Sequence, residues 1–339
     1  MFTRSLKNRT PLYRPSFTLV ELLVSISIIG VMVSMVLYTL ASAQQDALRS
    51  RTRGTIQKLN AVILERWEEY RYRSVNVAIG SDLIRSKFIR PRRVAELRAI
   101  FLKDMMRMEM PDRRSDLTYA PIQWGVPLDP NNSILTVIGP VGREFNILRN
   151  YFNLATIPTS FTPGAEDTRL FNATRPPWST TNESAECLYA IIAHSTSGGG
   201  SAIEGFHTSE IADTDGDSYP EFIDAWGNPI SWIRWPAAFE SEMNLSYKGN
   251  DPANPVSPDS FDPLRTSGQW SNTQKPWTLV PLILSNGTDG LPGVLAHSDA
   301  VFANVLHAYY PNTDAPTIGQ IIDRDEAEDN ITNHDILLE

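Results

Sequence analysis

The sequence contains a single cysteine, Cys187, and this scarcity excludes an intramolecular disulfide and any zinc site built from cysteines. Cys187 stands in the apolar run from Glu186 to Ile192, which is typical of a buried core thiol. Histidine is also rare, since its five copies are scattered without an HExxH pattern or a pair four residues apart. These shortages argue against a metal site built from nitrogen and sulfur ligands.

Catalytic and nucleotide-binding signatures are missing as well. No Walker, G-x-S-x-G or G-x-G-x-x-G pattern occurs between a strand and a helix. The glycine run at 197–201 lacks the Lys-Ser/Thr pair of a phosphate-binding loop. The sequence therefore favours a protein that is not an enzyme. A membrane-anchored hydrolase stays open as an alternative, because catalytic triads are recognised by geometry rather than by sequence order.

Charge is distributed unevenly along the chain, whose net charge is -9. Up to Asp116 there are 21 Lys and Arg against 11 Asp and Glu, and beyond it 9 against 28. Such asymmetry is typical of contact with a membrane or a nucleic acid on the basic side. The acidic remainder argues against a nucleic-acid partner. Since the basic third also holds the one long apolar segment, we expect a lipid partner.

The apolar segment covers residues 17–40, with 24 residues, one charge and no proline. As a helix it would be about 36 Å long, enough for a bilayer core of about 30 Å. The 16 residues before it carry four basic side chains and no acid, which favours a cytoplasmic N-terminus. A cleaved secretory signal peptide is the alternative, because Ala41-Ser42-Ala43 offers a small-x-small site.

Glu21 is the one charge in this segment, and a carboxylate one turn inside an apolar span needs a partner. The alternative is a residue that reaches for water at the membrane edge. The stretch SFTLVELL, from Ser16 to Leu23, resembles the prepilin cleavage and methylation motif of type IV pilins and pseudopilins. That family prefers glycine at the position of Ser16. The resemblance implies that a prepilin peptidase cuts between Ser16 and Phe17 and methylates the new amine. It also implies that Glu21 pairs with the Phe17 amine of a neighbouring pilin-like subunit.

The segment after the span shows apolar residues at intervals of three and four, which predicts a helix unbroken to about Arg73. The stripe consists of Leu48, Thr52, Ile56, Leu59, Ile63, Trp67 and Tyr70. With the resemblance, this pattern implies a basic leader at 1–16, a transmembrane helix at 17–40, an amphipathic stem at 41–75 and a head domain at 76–339. The head would lie in the periplasm or outside the cell, and the single span in the bacterial inner membrane.

The resemblance implies a structural subunit of a type IV pilus-like or type II secretion pseudopilus assembly. A single-pass, membrane-anchored calcium-binding or adhesion protein that does not polymerise is the alternative. For the head we predict helices at 92–110, 183–194 and 300–309, strands at 230–235 and 279–284, and mostly loop over 129–180. The expected fold is α+β: a long N-terminal helix packed on a head with a small antiparallel sheet, extra helices and long loops.

An acidic segment in the head predicts a calcium site. Its acids alternate on a tight loop, as calcium requires, and would repel one another without a cation. The segment resembles the aspartate-rich calcium repeats of thrombospondin and related bacterial modules more than an EF-hand, because its glycine is displaced. A solvated acidic turn is the alternative. The expected ligands are Asp213, Asp215, Asp217, Glu221 and Asp224.

Two later stretches are similar to parts of the major pseudopilins of type II secretion. Residues 224–230 resemble their DPWGNP element, a turn that leads into a strand. Residues 285–290 are similar to their S-x-G-x-D-G calcium loop, and 329–332 to the piece that closes it. The resemblance implies that Asp289 and Asp329 are calcium ligands. No organic cofactor is implied.

Overall fold

A computed structural model describes residues 18–77, 90–127, 134–154, 178–244, 259–262, 264, 278–296 and 318–336. The chain divides into two compact units, residues 1–48 and residues 49–339. The architecture is α+β, as predicted, with a long N-terminal helix and a head of small antiparallel sheets and further helices.

Helix α1 covers Leu19–Glu69 and ends four residues before the predicted Arg73. In its second half the buried side chains recur every three or four residues and form one face. They are Thr52, Thr55, Ile56, Leu59, Asn60, Val62, Ile63 and Trp67. The ring of Trp67 meets the edge of Phe261 at 5.2 Å between centroids. The predicted stripe is therefore confirmed as a core-facing surface of the head.

Polar side chains also join this half of α1 to the head. The hydroxyl of Thr55 donates to the Glu210 carboxylate at 2.5 Å, and the Lys58 ammonium lies 2.7 Å from the same group. Further along, the Asn333 amide donates to the Asn60 side chain at 2.8 Å. These buried or half-buried bonds fix the helix against segments more than 150 residues away in sequence.

The other α-helices among the described residues lie in the head and have 4 to 19 residues. Helix α2 begins at a proline, whose missing N–H costs nothing in a first turn, and both α2 and α5 confirm predictions. Cys187 in α5 is fully buried, as expected, and burial raises the pKa of its thiol well above the usual value. The helices are α2 Pro91–Glu109, α3 Arg114–Thr118, α4 Arg143–Tyr151, α5 Glu183–Ala193, α6 Arg324–Ala327 and α7 Asn333–Ile336.

The strands form one three-stranded sheet and three hairpins among the described residues, all antiparallel. The sheet has the order β7-β8-β9, with Ile233 opposite Leu282 and Leu284 opposite Thr332. Its first two strands confirm the predicted strands, although β8 begins three residues later than expected. The strands are β1 Gln123–Pro127, β2 Ile134–Ile138, β3 Thr196–Ser197, β4 Gly200–Ser201, β5 Ile211–Ala212, β6 Glu221–Phe222, β7 Ser231–Ile233, β8 Leu282–Ser285 and β9 Ile331–Thr332.

The prediction of mostly loop over 129–180 was wrong for two described stretches. Residues 134–138, ILTVI, form β2, because β-branched residues favour the extended backbone. Residues 143–151 form α4, whose Phe145 and Leu148 lie three apart and are buried in the core. The helix predicted at 300–309 lies outside the described residues.

Candidate functional site

Glu21 lies in the first turn of α1, where it has a partner in its own chain. Thr18 immediately precedes the helix, and both its N–H and its hydroxyl donate to Glu21 Oε2, at 3.0 and 2.9 Å. The Glu21 N–H in turn donates to the Thr18 hydroxyl at 3.2 Å. This reciprocal pair is a capping box, which satisfies two N–H groups at the open end of the helix. The T-x-x-E pattern from Thr18 to Glu21 is the sequence signal for this cap. Ser16 and Phe17 lie outside the described residues.

The rest of this segment presents apolar side chains in every direction. Every residue from Leu19 to Leu40 is exposed, and even Val24 keeps 48% of its surface accessible. Within the described residues, α1 is the one helix long and apolar enough to cross a membrane, with a mean hydropathy of 2.4 over its best 18 residues. An exposed apolar surface of this size requires lipid or another apolar partner.

The same residues match a known family model. The model describes the prokaryotic N-terminal methylation motif and matches residues 15–37. Residues 15–37 therefore resemble the N-terminus of type IV pilin-like proteins. The motif indicates a prepilin-like chain that is processed by a peptidase and anchored by a single span, and it suggests a structural rather than a catalytic role. No curated protein and no solved structure matches the chain.

The acidic segment of the head forms the connection of a short hairpin. Strands β5 and β6 pair with Ile211 opposite Phe222, so the predicted ligands lie on and beside a tight loop. One carboxylate oxygen from each of Asp213, Asp215 and Asp217 lies within 4.8 Å of the others. The structure therefore brings together three of the five acids expected at this site.

All three carboxylates already accept backbone N–H groups, and Asp215 Oδ1 accepts that of Asp217 at 3.3 Å. Asp213 and Asp217 each accept two backbone N–H groups at 2.7–3.0 Å, one on each oxygen. The donors are Gly216 and Ser218 for Asp213, and Ser179 and Tyr219 for Asp217. Aspartates that bond N–H groups a few residues on are a common way of shaping a turn. Their first role is therefore to fold the loop.

A second group of acids includes a residue that sequence reasoning missed. Glu186 of α5 places a carboxylate oxygen within 4.8 Å of oxygens from Asp215 and Glu221. Its side chain is fully buried; Oε2 accepts a hydrogen bond from the Trp178 indole, and Oε1 has no hydrogen-bond partner among the described residues. Burial raises the pKa of Glu186 to about 9, the Trp178 bond opposes the rise, and neighbouring carboxylates add to it. The sequence signal that could have identified Glu186 is its position as an acid at the start of the apolar run 186–192.

Asp224, the fifth expected ligand, lies outside both groups of acids. Its Oδ1 accepts the N–H groups of Trp226 and Asn228, both at 2.9 Å, and its Oδ2 accepts the Ser285 hydroxyl at 2.7 Å. Gly227 has φ +96°, a left-handed conformation that favours glycine. The carboxylate thus closes the turn at 224–228 and fastens it to the end of β8.

The loop after β8 meets its expected closing piece near the C-terminus. Asp329 Oδ2 accepts the N–H of Thr288 at 2.6 Å, and also its hydroxyl. Gly287 has φ +65°, and a Cβ there would lie 2.5 Å from Asp329, so no larger residue fits. Asp289 is exposed, and its Oδ1 accepts the Leu291 N–H at 2.8 Å.

Three side-chain oxygens of this loop and its closing piece are buried without a hydrogen-bond partner among the described residues. They belong to Asn286, Asp329 and Asn330. The amide nitrogens of the two asparagines donate to the carbonyls of Gly290 and Pro292. These bonds fix which end of each amide is the nitrogen, and the oxygen is the end without a partner. Carboxylate and amide oxygens are the ligand types that calcium takes.

Proposed function

We propose that the chain is a structural subunit of a type IV pilus-like or type II secretion pseudopilus assembly. A prepilin peptidase cuts between Ser16 and Phe17 and methylates the Phe17 amine. The span then holds the subunit in the bacterial inner membrane, with the head in the periplasm or outside the cell. One observation carries the proposal: the methylation motif at 15–37 coincides with the exposed apolar part of helix α1, whose first turn holds Glu21, the one charged residue of the segment 17–40.

Assembly depends on the charge of Glu21. An ionised carboxylate and an ammonium group are each costly in lipid, and each lowers the cost of the other when they pair. In the proposed filament, Glu21 accepts the Phe17 amine of the neighbouring subunit. Pairing of this kind favours one register between subunits, because any other register leaves both charges unpaired in the apolar layer of the membrane.

Two substitutions at Glu21 separate this role from helix capping. Glutamine can also serve as the third residue of a capping box, so Glu21→Gln keeps the cap and removes the charge. Glu21→Ala removes both. We expect neither variant to form filaments, while both still fractionate with the membrane. Filament formation is measured by pelleting and electron microscopy. If Glu21→Gln formed filaments at the wild-type level, Glu21 would be only a capping residue and its proposed role in assembly would be contradicted.

Processing is tested by mass spectrometry of the protein extracted from membranes. The expected species begins at Phe17 and carries one extra methyl group. A chain that retains Met1, or that begins elsewhere, would contradict peptidase processing at Ser16.

The competing function is an anchored calcium-binding or adhesion protein that does not polymerise, which the acidic groups of the head favour. Cysteines introduced at Ile28 and Val36, in a Cys187→Ser background, report contacts between spans of different subunits. A filament subunit should give a ladder of cross-linked species. Monomers alone would support the lone anchor.

We further propose that the loop at 285–290 binds calcium with its closing piece, with Asp289 and Asp329 as ligands. The support is the contact between Thr288 and Asp329 and the three unpaired oxygens nearby. Calcium should raise the thermal midpoint of the full chain in detergent, and Asp329→Asn should lose most of that rise. Asp325→Asn, on the exposed side of α6, is the matched control. An equal rise in both variants would reject this site.

A further inference from the structure

The head contains a second place where a cation fits, and it differs from the sequence-based expectation in its ligands. We propose that Glu186, Asp215 and Glu221 bind a divalent cation of the calcium class. This inner triad joins helix α5, the acidic loop and strand β6, and it omits Asp224. The proposal does not depend on assembly, so its test is independent of the function proposed above.

The separation of the three carboxylates suits one ion. Calcium holds oxygens at about 2.3–2.6 Å, so two ligands on opposite sides of the ion are about 4.6–5.2 Å apart. The three oxygens lie within 4.8 Å of one another, so a single ion can reach all of them. The three elements that carry them already pack together, because α5 lies against β6 and the hairpin fixes the loop.

A second observation, independent of the clustering of acids, indicates that Glu186 binds a ligand. Its Oε1 is buried and has no hydrogen-bond partner among the described residues, in a side chain with no exposed surface. A buried carboxylate oxygen that has lost its water and gained no donor costs free energy. An ion at the inner triad would remove that cost, since it supplies positive charge at the unpaired oxygen.

The outer triad of Asp213, Asp215 and Asp217 is less suited to be the main site. Existing hydrogen bonds orient the carboxylates of both triads, but among the described residues only the inner triad has a buried carboxylate oxygen without a hydrogen-bond partner, Glu186 Oε1. Asn182 donates to Glu221 Oε1 at 3.1 Å, and the Thr214 N–H donates to Oε2 at 3.0 Å. The Thr214 hydroxyl also donates to Oε1, at 3.4 Å. Oε2 has one donor and can accept a second partner, so these bonds hold Glu221 in place while Oε2 leaves room for an ion.

The ligand set selects a hard cation. The inner triad offers oxygen atoms only, and carboxylate oxygen suits calcium, magnesium or manganese rather than zinc or copper. Calcium is favoured over magnesium because it accepts irregular geometry and a larger shell, which water can complete at the solvent side of Asp215. Sites of this kind in proteins outside the cytosol bind calcium at about 10⁻⁴–10⁻³ M.

The test uses the full chain in detergent and calcium chloride as the probe, titrated to about 10 mM at constant ionic strength. Isothermal titration gives the affinity and the number of sites, and thermal unfolding gives the stabilisation. Glu186→Gln preserves the shape and the acceptor for Trp178 but cannot lose a proton to become a negatively charged ligand. We expect its affinity at one site to fall at least tenfold, while its thermal midpoint without calcium equals or exceeds that of the wild type.

Matched variants assign the effect to the inner triad. Glu204→Gln changes an exposed glutamate of the same region and should leave binding unchanged. Glu221→Gln alters a ligand that belongs to the inner triad and not to the outer one, so it tests the site even if Glu186→Gln does not fold. Asp329→Asn should remove only the other site, which separates the two proposals. The proposal is overturned if the affinities of Glu186→Gln and Glu221→Gln stay within twofold of the wild type, or if no calcium binds beyond the site that Asp329→Asn removes.

Discussion

The two halves of helix α1 share one backbone conformation but differ in where their side chains find partners. In the first half, apolar residues occupy all faces, and Ile28 exposes 56% of its surface. In the second half they occupy one stripe, and Ile63 is fully buried against the head. A helix that is apolar all round cannot be satisfied by one neighbouring surface, whereas a striped helix can. The first half therefore depends on partners outside the chain, and the second does not.

Hydroxyl groups show the same contrast. In the first half, Ser25 and Thr39 donate to carbonyls of their own helix, at 2.7 and 2.9 Å, which satisfies them without water. In the second half, Thr55 donates to Glu210, and Thr52 accepts the N–H of Ala225 at 3.0 Å. The hydroxyl groups of Ser25 and Thr39 thus find their partners within the helix, whereas those of Thr52 and Thr55 join the helix to distant segments.

The largest expected effect compares two isoleucines of α1. Ile63→Ala should lower the free energy of unfolding of the head by about 2–5 kcal/mol, since it removes buried methyl groups and leaves a cavity. Ile28→Ala should change it by less than about 0.5 kcal/mol. Urea unfolding in detergent, followed by tryptophan fluorescence, measures both. Similar losses for the two variants would show that the halves do not differ as described.

A smaller effect is expected from two threonines. Thr55→Val keeps the shape but removes one donor to the buried carboxylate of Glu210, which retains Lys58 and the His207 N–H. We expect a loss of about 1 kcal/mol in the free energy of unfolding. Thr39→Val, in the first half, should be neutral within the error of the same measurement. A loss confined to Thr39→Val would reverse the comparison.

The smallest expected effect is a pH dependence that belongs to the head. His334 is buried, its Nε2 lies 3.1 Å from the Pro281 carbonyl, and its Nδ1 lies 2.7 Å from the Ser241 hydroxyl. Burial lowers its pKa below the usual value near 6.5, and the Pro281 bond only partly offsets this. The unfolded chain then binds a proton more readily than the folded one. Stability should therefore fall as the pH drops below about 6.5.

The His334 effect is measured as the difference in urea midpoint between pH 7.5 and pH 5.5. His334→Gln keeps a donor and an acceptor but does not titrate, so its midpoint should change less over this range. An equal change in the variant would assign the pH dependence to other groups.

Periodicity and local motifs were sufficient for much of this architecture. The three-and-four spacing from Thr52 to Trp67 predicted the buried face of α1, and the proline at 91 marked the start of α2. Elements with weaker patterns were missed. In α4 the asparagines at 146 and 150 reduce the helical signal, and its apolar face becomes clear only when Phe145 and Leu148 are seen in the core.

The candidate cation sites were harder to predict from the sequence, because their ligands come from separate segments. Spacing alone placed Asp213, Asp215 and Asp217 together, since they lie on one loop. It could not show that Ser285, 61 residues away, takes the carboxylate of Asp224, or that packing of α5 on β6 carries Glu186 to the acidic loop. Such pairings depend on tertiary contacts that no local pattern encodes.

The capping box at the start of α1 also bears on how subunits would join. Glu21 holds two hydrogen bonds from Thr18 before any neighbour is present. Under the proposed assembly, binding the neighbour's amine is then an exchange of one set of bonds for another. The net gain per subunit is the difference between the two sets, which is smaller than the strength of the new ion pair. A small difference of this kind lets subunits enter and leave a growing end, so that errors in register can be corrected.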